Sequence, residues 1–179
     1  MKGELLENRI VVWNKQESRD LFANGYFGKP IGIPKPNVND INVPLILELI
    51  EGYYLLKIPK IKITENGKNV TVNALLKICR KEYYDFDKKF QVYKDFRDKG
   101  YVINPGIKFG CDFAVYQKGP GIDHAPYLVQ VYNKNDDISS TAVVLAGRLA
   151  SSVKKQFILA IPHSKDKIDY LSLDWWRAN

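Results

Sequence analysis

The chain has 179 residues, of which 45% are hydrophobic and 12% aromatic, enough to fill one large core or two small ones. Its 27 Lys and Arg residues against 20 Asp and Glu residues give a net charge of +7, which suits a polyanionic partner but does not identify one. No apolar run approaches the roughly 20 residues that span a bilayer, and Cys79 and Cys111 are too far apart for a disulfide framework or a CxxC metal site. We therefore expect a protein of the reducing cytoplasm that is neither exported nor embedded in a membrane.

Residues 1–84 predict a small mixed domain without a visible catalytic motif. Its predicted elements are a strand over 4–14, a helical turn over 18–24, a loop over 29–39, a helix over 44–56, a hairpin over 60–72 and a helix over 73–80. The helix over 44–56 is expected because Pro44 suits a first helical turn, and the hairpin because Asn66-Gly67 is typical of two-residue turns. We expect the boundary in the charged and aromatic segment 81–87, which gives domains at 1–84 and 85–179.

An aromatic stripe opens the second domain. Four aromatic residues recur at spacings of four, three and three, as on a helix that packs against a core: Phe86, Phe90, Tyr93 and Phe96. Gly100 is expected to end this helix in the left-handed conformation. From Phe109 the pattern changes to period two, which predicts a strand that closes on Tyr116. A tyrosine at that position lies where loops and solvent begin.

A loop rich in glycine and proline follows over residues 117–126, and it contains His124. The alternation of apolar and polar residues at 127–132 predicts the next strand. After a polar turn, Ser139 or Ser140 can cap a helix.

This helix is expected to run to about Lys155, with Arg148 and Lys155 on the face opposite its apolar residues. Two further strands are predicted at 157–161 and 168–176. The predicted fold class is therefore α/β (α+β), with a small mixed N-terminal domain and an α/β nuclease-like domain built on a central mixed sheet.

Residues 93–116 carry a long, ordered motif. It consists of Tyr93-Lys94-Asp95-Phe96-Arg97, Lys99-Gly100-Tyr101-Val102 and Gly106-Ile107-Lys108-Phe109-Gly110-Cys111-Asp112-Phe113, closed by Tyr116. The motif resembles the catalytic-domain signature of the archaeal tRNA-splicing (tRNA-intron) endonucleases, and the resemblance extends to about Ile161 and, more loosely, over residues 1–84. It implies a restriction-endonuclease-like catalytic domain. It also implies an enzyme that removes introns from precursor tRNA at bulge-helix-bulge structures and leaves 2′,3′-cyclic phosphate and 5′-hydroxyl ends, without a metal or other cofactor.

RNA can be cleaved by its own 2′-hydroxyl if one group removes that proton, a second protonates the leaving 5′-oxygen and a cation stabilises the phosphorane. The resemblance implies Tyr116 as the general base, His124 as the general acid and Lys155 as the transition-state stabiliser. Without the resemblance, each of the three would be interpreted as an ordinary structural or surface residue. Their joint position after the motif is what favours the catalytic interpretation.

The resemblance also implies a clamp for a bulged base. Arg148 lies seven residues before Lys155 and is the candidate for stacking on the base by cation–π contact. Tyr170 is the candidate for the second clamp residue. The alternative for Arg148 is an ordinary surface arginine.

Assembly is implied as well, because the family needs two active sites for each tRNA. Asp136 and Asp137 would belong to an acidic loop that enters a basic cleft of a neighbouring subunit, or alternatively to a solvated turn before a helix cap. The last strand, with Leu171, Leu173 and Trp175, is too apolar for an open edge and would pair with its symmetry mate. We expect a homotetramer or a heterotetramer with a second structural subunit.

Two other functions are weighed against this one. A non-catalytic structural or RNA-binding subunit of the same assembly would have no physical need for all three catalytic side chains. A metal-dependent nuclease of the restriction-enzyme type needs clustered carboxylates and a Glu-x-Lys motif, whereas this chain offers Gln130-Val131-Tyr132 after Asp112.

Overall fold

The structure is a computed structural model that describes residues 1–34, 36–38, 41–122, 124–153, 155–164 and 167–173, apart from the side chains at 145 and 150–153. The chain divides into two compact units, Met1–Phe86 and Asp87–Asn179. Each unit has its own β-sheet. Within the described ranges, no helix has the length and apolar character needed to cross a membrane.

The first unit is a six-stranded sheet with three helices. Its elements are β1 (Lys2–Leu6), β2 (Arg9–Val12), α1 (Lys15–Ala23), β3 (Lys29–Pro30), β4 (Leu45–Glu48), α2 (Leu49–Lys57), β5 (Lys62–Glu65), β6 (Lys68–Asn69) and α3 (Val72–Glu82). The strand order is β3-β4-β2-β1-β5-β6. Strands β1 and β5 pair in parallel, and the other neighbours pair antiparallel.

Two predictions for this unit are wrong. The single strand over 4–14 is a hairpin of β1 and β2, and Glu7 in its turn has a φ of 53°. The helix expected from Pro44 begins only at Leu49, because Leu45 and Leu47 are fully buried in a strand that pairs with β2. Burial at alternate positions outweighs the helical preference of Pro44.

The predicted hairpin turn in this unit is confirmed. Asn66 and Gly67 have φ values of 49° and 76° between β5 and β6. Positive φ at both central residues is the geometry of the type I′ turn that Asn-Gly favours. The helix predicted over 73–80 is confirmed as α3.

The second unit is a five-stranded mixed sheet with helices. Its elements are α4 (Phe86–Asp98), which begins at the boundary, β7 (Val102–Pro105), a 3-10 turn (Ile107–Phe109), β8 (Phe113–Tyr116), β9 (Tyr127–Val131), α5 (Ser140–Val153), β10 (Gln156–Ser164) and β11 (Lys167–Leu173). The strand order is β11-β10-β9-β8-β7, and only β9 and β10 pair in parallel among these strands. The predicted central mixed sheet and the predicted fold class are confirmed.

The aromatic stripe of α4 is buried as predicted. Its four side chains have exposed fractions between 1% and 8%: Phe86, Phe90, Tyr93 and Phe96. Arg97 is also buried, and its Nε donates to the hydroxyl of Tyr93 at 3.0 Å. Gly100 has a φ of 86°, so the predicted left-handed end of the helix is confirmed.

Helices α4 and α5 pack against opposite faces of this sheet. Tyr93 of α4 contacts Phe113, with ring centroids 6.1 Å apart. The next residue, Ala114, belongs to a cluster with Ala146 of α5, and successive strand residues point to opposite faces. We call this cluster the α5-side core; its members are Cys111, Ala114, Ala125, Leu128, Ala146, Phe157 and Leu159.

The strand predicted from Phe109 is wrong at its start. Residues Ile107–Phe109 form a 3-10 turn that Gly110 ends at a φ of 68°, and β8 begins only at Phe113. Gly106 permits this compact loop, because a Cβ there would lie 2.5 Å from Sγ of Cys111. Two small, permissive residues therefore redirect a segment whose apolar alternation resembles a strand.

Both cysteines are free and buried. Burial raises the pKa of the Cys79 thiol to about 12 and that of the Cys111 thiol to about 11.

Candidate active site

One edge of the second sheet collects the ends of three strands. Val115 of β8 pairs with Tyr127 of β9, and Tyr127 pairs with Gln156 of β10. Because β8 is antiparallel to β9 and β10 is parallel to it, the end of β8 and the starts of β9 and β10 meet at this edge. Tyr116 and Lys155 are the next residues outward. Two strand spacings separate their backbones, a distance of about 10 Å.

Tyr116 and the segment after His124 share one apolar support. The Tyr116 side chain is half-buried and packs against the α5-side core. His124 is exposed, whereas the next residue, Ala125, is 2% exposed and belongs to that core. The core therefore anchors the loop immediately beside the histidine, which stays accessible to solvent.

Lys155 lies between these elements and is half-buried. Its Nζ donates a hydrogen bond to the carbonyl oxygen of Ala125. The same nitrogen lies 5.4 Å from the centroid of the Phe109 ring, within the range of a cation–π contact. The ammonium group of Lys155 is thus bonded to the residue that follows His124.

The position of Lys155 differs from the prediction. Helix α5 ends at Val153, so Lys155 does not belong to the helix but directly precedes β10. The start of β10 is fixed by a bond from the Gln156 amide to the Pro126 carbonyl at 2.8 Å. Strand pairing, rather than the helix, places the lysine at this edge.

Phe109 was not identified as a site residue from the sequence. It lies in the 3-10 turn and packs against the α5-side core. Its place inside the motif is the only available signal, because no spacing rule relates an aromatic residue to a lysine far along the chain.

The candidate site contains the phenol of Tyr116, the imidazole of His124 and the ammonium of Lys155. Acid–base cleavage of RNA requires one group of each of these kinds. A phenol and an imidazole can exchange protons with a substrate. An ammonium can stabilise negative charge that develops on phosphate oxygens. These side chains could therefore take part in acid–base chemistry on a phosphodiester.

The two predicted base-clamping residues lie on different faces of the sheet. Arg148 is exposed on α5. Tyr170 pairs with Ala160 on the face opposite the α5-side core, which contains the neighbouring Leu159. Within one chain, the structure does not bring Arg148 and Tyr170 together.

Tyr170 is held against α4 by several contacts. Its hydroxyl donates to Oδ2 of Asp95 at 2.6 Å, and its ring centroid lies 5.3 Å from that of Phe96. Nζ of Lys99 lies 5.5 Å from the centre of the Tyr170 ring. Burial, and then the carboxylate of Asp95, raise the pKa of Tyr170 above its ordinary range.

The predicted interface residues are partly described. Asp136 and Asp137 are exposed, and Asp136 accepts a bond from the Asn133 amide at 2.7 Å that closes its turn. On the edge strand β11, Leu171 is 53% exposed, whereas Leu173 packs against the α5-side core. Trp175 lies outside the described residues.

Asp112 is engaged by a cation and by two donors. Its Oδ1 lies 2.7 Å from Nζ of Lys89, and its Oδ2 accepts bonds of 2.8 Å from Gln130 Nε2 and from the Val131 amide. The carboxylate thus ties α4, β9 and the start of β8 together. In the described part of the chain, no three His, Cys, Asp or Glu side chains are grouped so that they could hold a metal ion.

Comparison with known proteins gives matches along the whole chain. Residues 86–170 match the family model of the tRNA intron endonuclease catalytic C-terminal domain, and residues 1–76 match that of the tRNA intron endonuclease N-terminal domain. The chain is 42% identical over 177 residues to a tRNA-splicing endonuclease of Hyperthermus butylicus and 44% identical over 177 residues to one of Sulfurisphaera tokodaii. Each alignment covers 98% of both sequences. With both domains matched over nearly their full length, the chain belongs to the archaeal tRNA-splicing endonucleases and is an endoribonuclease of that family.

Proposed function

We propose that this endonuclease cleaves precursor tRNA at bulge-helix-bulge intron–exon junctions by metal-independent attack of the 2′-hydroxyl. Tyr116 is the general base, His124 the general acid and Lys155 the cation that stabilises the transition state. The observation that supports this proposal is the bond from Lys155 to Ala125, because it joins the ammonium to the residue that follows His124, at the edge where β8 ends on Tyr116.

The reaction balances with these three groups alone. The 2′-oxygen forms a new bond to phosphorus while the bond from phosphorus to the 5′-oxygen breaks. The phenolate form of Tyr116 accepts the 2′ proton, and the imidazolium form of His124 gives a proton to the leaving oxygen. Lys155 stabilises the additional negative charge on the non-bridging oxygens. The products are a 2′,3′-cyclic phosphate and a 5′-hydroxyl, and no water is consumed.

Arg148 is the proposed clamp for a bulged base. It is exposed on α5, the helix that packs on the same face of the sheet as Tyr116. A guanidinium plane can stack on an unpaired base and still attract the nearby phosphates. Tyr170 lies on the other face, so we assign it a stacking role only on RNA bound by a different subunit.

The enzyme is proposed to act in the cytoplasm as a tetramer, either of identical chains or with a second structural subunit. An intron has two junctions, and one chain has one set of catalytic residues. The exposed Leu171 on an edge strand supports pairing of β11 with the same strand of another copy, in which Leu173 and Trp175 also take part. The exposed Asp136 and Asp137 support an acidic loop that enters a basic cleft of a neighbour.

The alternatives are less well supported. A non-catalytic subunit gives no reason for a tyrosine, a histidine loop and a lysine to meet at one edge. A metal-dependent nuclease would use Asp112 as a ligand, yet both oxygens of this carboxylate already accept contacts from the protein.

The test is cleavage of a labelled intron-containing precursor tRNA by the purified chain in EDTA, with analysis of the end groups. We expect cuts at both junctions with cyclic phosphate ends and a loss of roughly 100-fold or more in Tyr116→Phe. Tyr132→Phe is the matched control, because Tyr132 packs against the same core at the other end of β9.

If the purified chain alone does not cleave the RNA, addition of a partner subunit or of Mg²⁺ distinguishes the remaining explanations. Recovery by an added partner subunit would keep the mechanism and make the assembly heteromeric. Recovery by Mg²⁺ alone, or full activity of Tyr116→Phe, would refute the proposed mechanism.

A further inference from the structure

The Phe109 ring contacts the cation of the candidate site. Nζ of Lys155 lies 5.4 Å from the ring centroid, and the ring packs against the α5-side core. An aromatic ring attracts an ammonium over its face through its quadrupole. The contact between Lys155 and Phe109 therefore has a preferred direction and is not apolar packing alone.

The backbone around Phe109 fixes the ring. The 3-10 turn is closed by bonds from the Phe109 amide to Gly106 at 2.8 Å and from the Gly110 amide to Ile107 at 3.1 Å. Gly110 then takes the left-handed conformation that lets the chain return to β8. Because the turn fixes the backbone of Phe109 and the α5-side core packs against its ring, Phe109 offers Lys155 a preorganised surface.

Two neutral groups contact the Lys155 ammonium. The Ala125 carbonyl and the Phe109 ring are both neutral groups. Both contacts restrict the position of the ammonium. A cation held in this way is ready to act on a phosphorane, since preorganised charge costs little reorganisation during the reaction.

We propose that Phe109 is a positioning residue that holds the Lys155 ammonium beside the His124 loop. This inference rests on the proposed function, in which Lys155 stabilises the transition state. Phe109 acts through Lys155 and does not itself touch the reacting atoms. Its loss should lower kcat and leave KM nearly unchanged.

The test varies the ring without changing its size greatly. Phenylalanine analogues with one, two and three fluorines at position 109 weaken the ring quadrupole stepwise while they retain the packing. We expect single-turnover rates to fall stepwise with each fluorine, and Phe109→Leu to lose roughly 2- to 30-fold in kcat, the range of a cation–π contact. Phe109→Trp should retain most of the rate.

Two comparisons separate positioning from packing. Phe157→Leu also removes a ring from the α5-side core, but this ring makes no described cation–π contact. In a Lys155→Met background, Phe109→Leu should cause no further loss beyond that of Phe157→Leu. Thermal unfolding of each variant checks that the fold is retained.

The proposal also has a readout that does not depend on activity. The ring current of Phe109 should shift the ε-methylene protons of Lys155 upfield in NMR spectra, and Phe109→Leu should abolish the shift. Single-turnover rates that do not change with fluorination would overturn the inference. Equal losses of rate from Phe109→Leu with and without Lys155 would also overturn it. Full activity of Lys155→Met would refute the proposed function, and with it the positioning role, while the NMR shift would report a structural contact alone.

Discussion

The hydroxyl of Tyr170 donates to Oδ2 of Asp95 at 2.6 Å, and Nζ of Lys99 contacts the same oxygen at 2.7 Å. The bond from Tyr170 ties the edge strand β11 to α4. The link to α4 fixes the direction of this edge strand.

The link predicts a loss of stability in alkaline solution. Because the folded pKa of Tyr170 is raised above its ordinary value of 10.0, the folded chain binds this proton more tightly than the unfolded chain does. The stability that Tyr170 contributes is complete below its ordinary pKa and falls as the pH rises above it. Tyr170→Phe should be about 1 kcal/mol less stable at neutral pH, and the difference should shrink toward about pH 11.

Denaturant unfolding across this pH range measures the effect. Tyr84→Phe is the control, since Tyr84 is 81% exposed. Parallel stability curves for the wild type and Tyr170→Phe would contradict the prediction.

A chemical substitution in the substrate tests His124. His124→Ala should lose roughly 100- to 10,000-fold in the rate of cleavage, because the 5′-oxygen leaves without a proton. A substrate with sulfur in place of that oxygen has a leaving group that needs no acid, so the variant should cleave it nearly as fast as the wild type does. The rate of cleavage by Tyr116→Phe should not be restored by the sulfur substitution.

His163→Ala provides the matched control for this experiment. His163 lies 2.6 Å from Asp169 in the hairpin of β10 and β11 and has no proposed part in the chemistry. If sulfur fails to restore His124→Ala, the histidine is not the general acid.

Arg148 should discriminate bulged RNA from paired RNA. Arg148→Lys keeps the charge but loses the planar group, so its affinity for a bulge-helix-bulge RNA should fall by roughly 2- to 30-fold. Its affinity for a fully paired RNA of the same length should change little. Lys134 is an exposed cation in the turn before α5. Lys134→Ala should instead lower the affinity for both RNAs similarly and reduce the salt dependence of binding. Equal losses on both RNAs in Arg148→Lys would argue against a base clamp.

The edge strand is tested through the oligomeric state. Leu171 is 53% exposed, so Leu171→Asp should unfold at nearly the wild-type temperature but sediment as a smaller species, because a charge on each strand disfavours their pairing. Ile107→Asp is the control, as Ile107 is 83% exposed and distant from β11 in the sheet order. An unchanged sedimentation coefficient in Leu171→Asp would exclude this strand from the interface.

The sequence predicts best those elements that local periodicity determines. The α4 stripe, the Gly100 helix end and the Asn66-Gly67 turn depend on neighbours within a few residues, and the structure has all three. The strand predicted from Phe109 is wrong because the alternation of apolar residues does not reveal that Gly106 and Gly110 allow a turn. The strand β4 was missed for a related reason, since its pairing with β2 is a long-range contact.

For the site, the motif supplied residue identities but not their contacts. Lys155 was expected on a helix, whereas the pairing of β10 with β9 fixes it at the sheet edge. Its contacts with Ala125 and Phe109 join segments distant in sequence, which no local pattern can predict. The role of Tyr170 as a clamp stays a prediction, and its bond to Asp95 could not be read from either residue alone.

The parallel pairing of β9 and β10 has a consequence for the newly made protein. A growing chain that already contains Tyr116 and His124 still lacks Lys155, and the crossover through α5 must close before Gln156 can pair with Tyr127. The three proposed catalytic groups can therefore meet only in a completed second domain. If these groups are catalytic, we expect a nascent or truncated chain without β10 to be inert toward RNA.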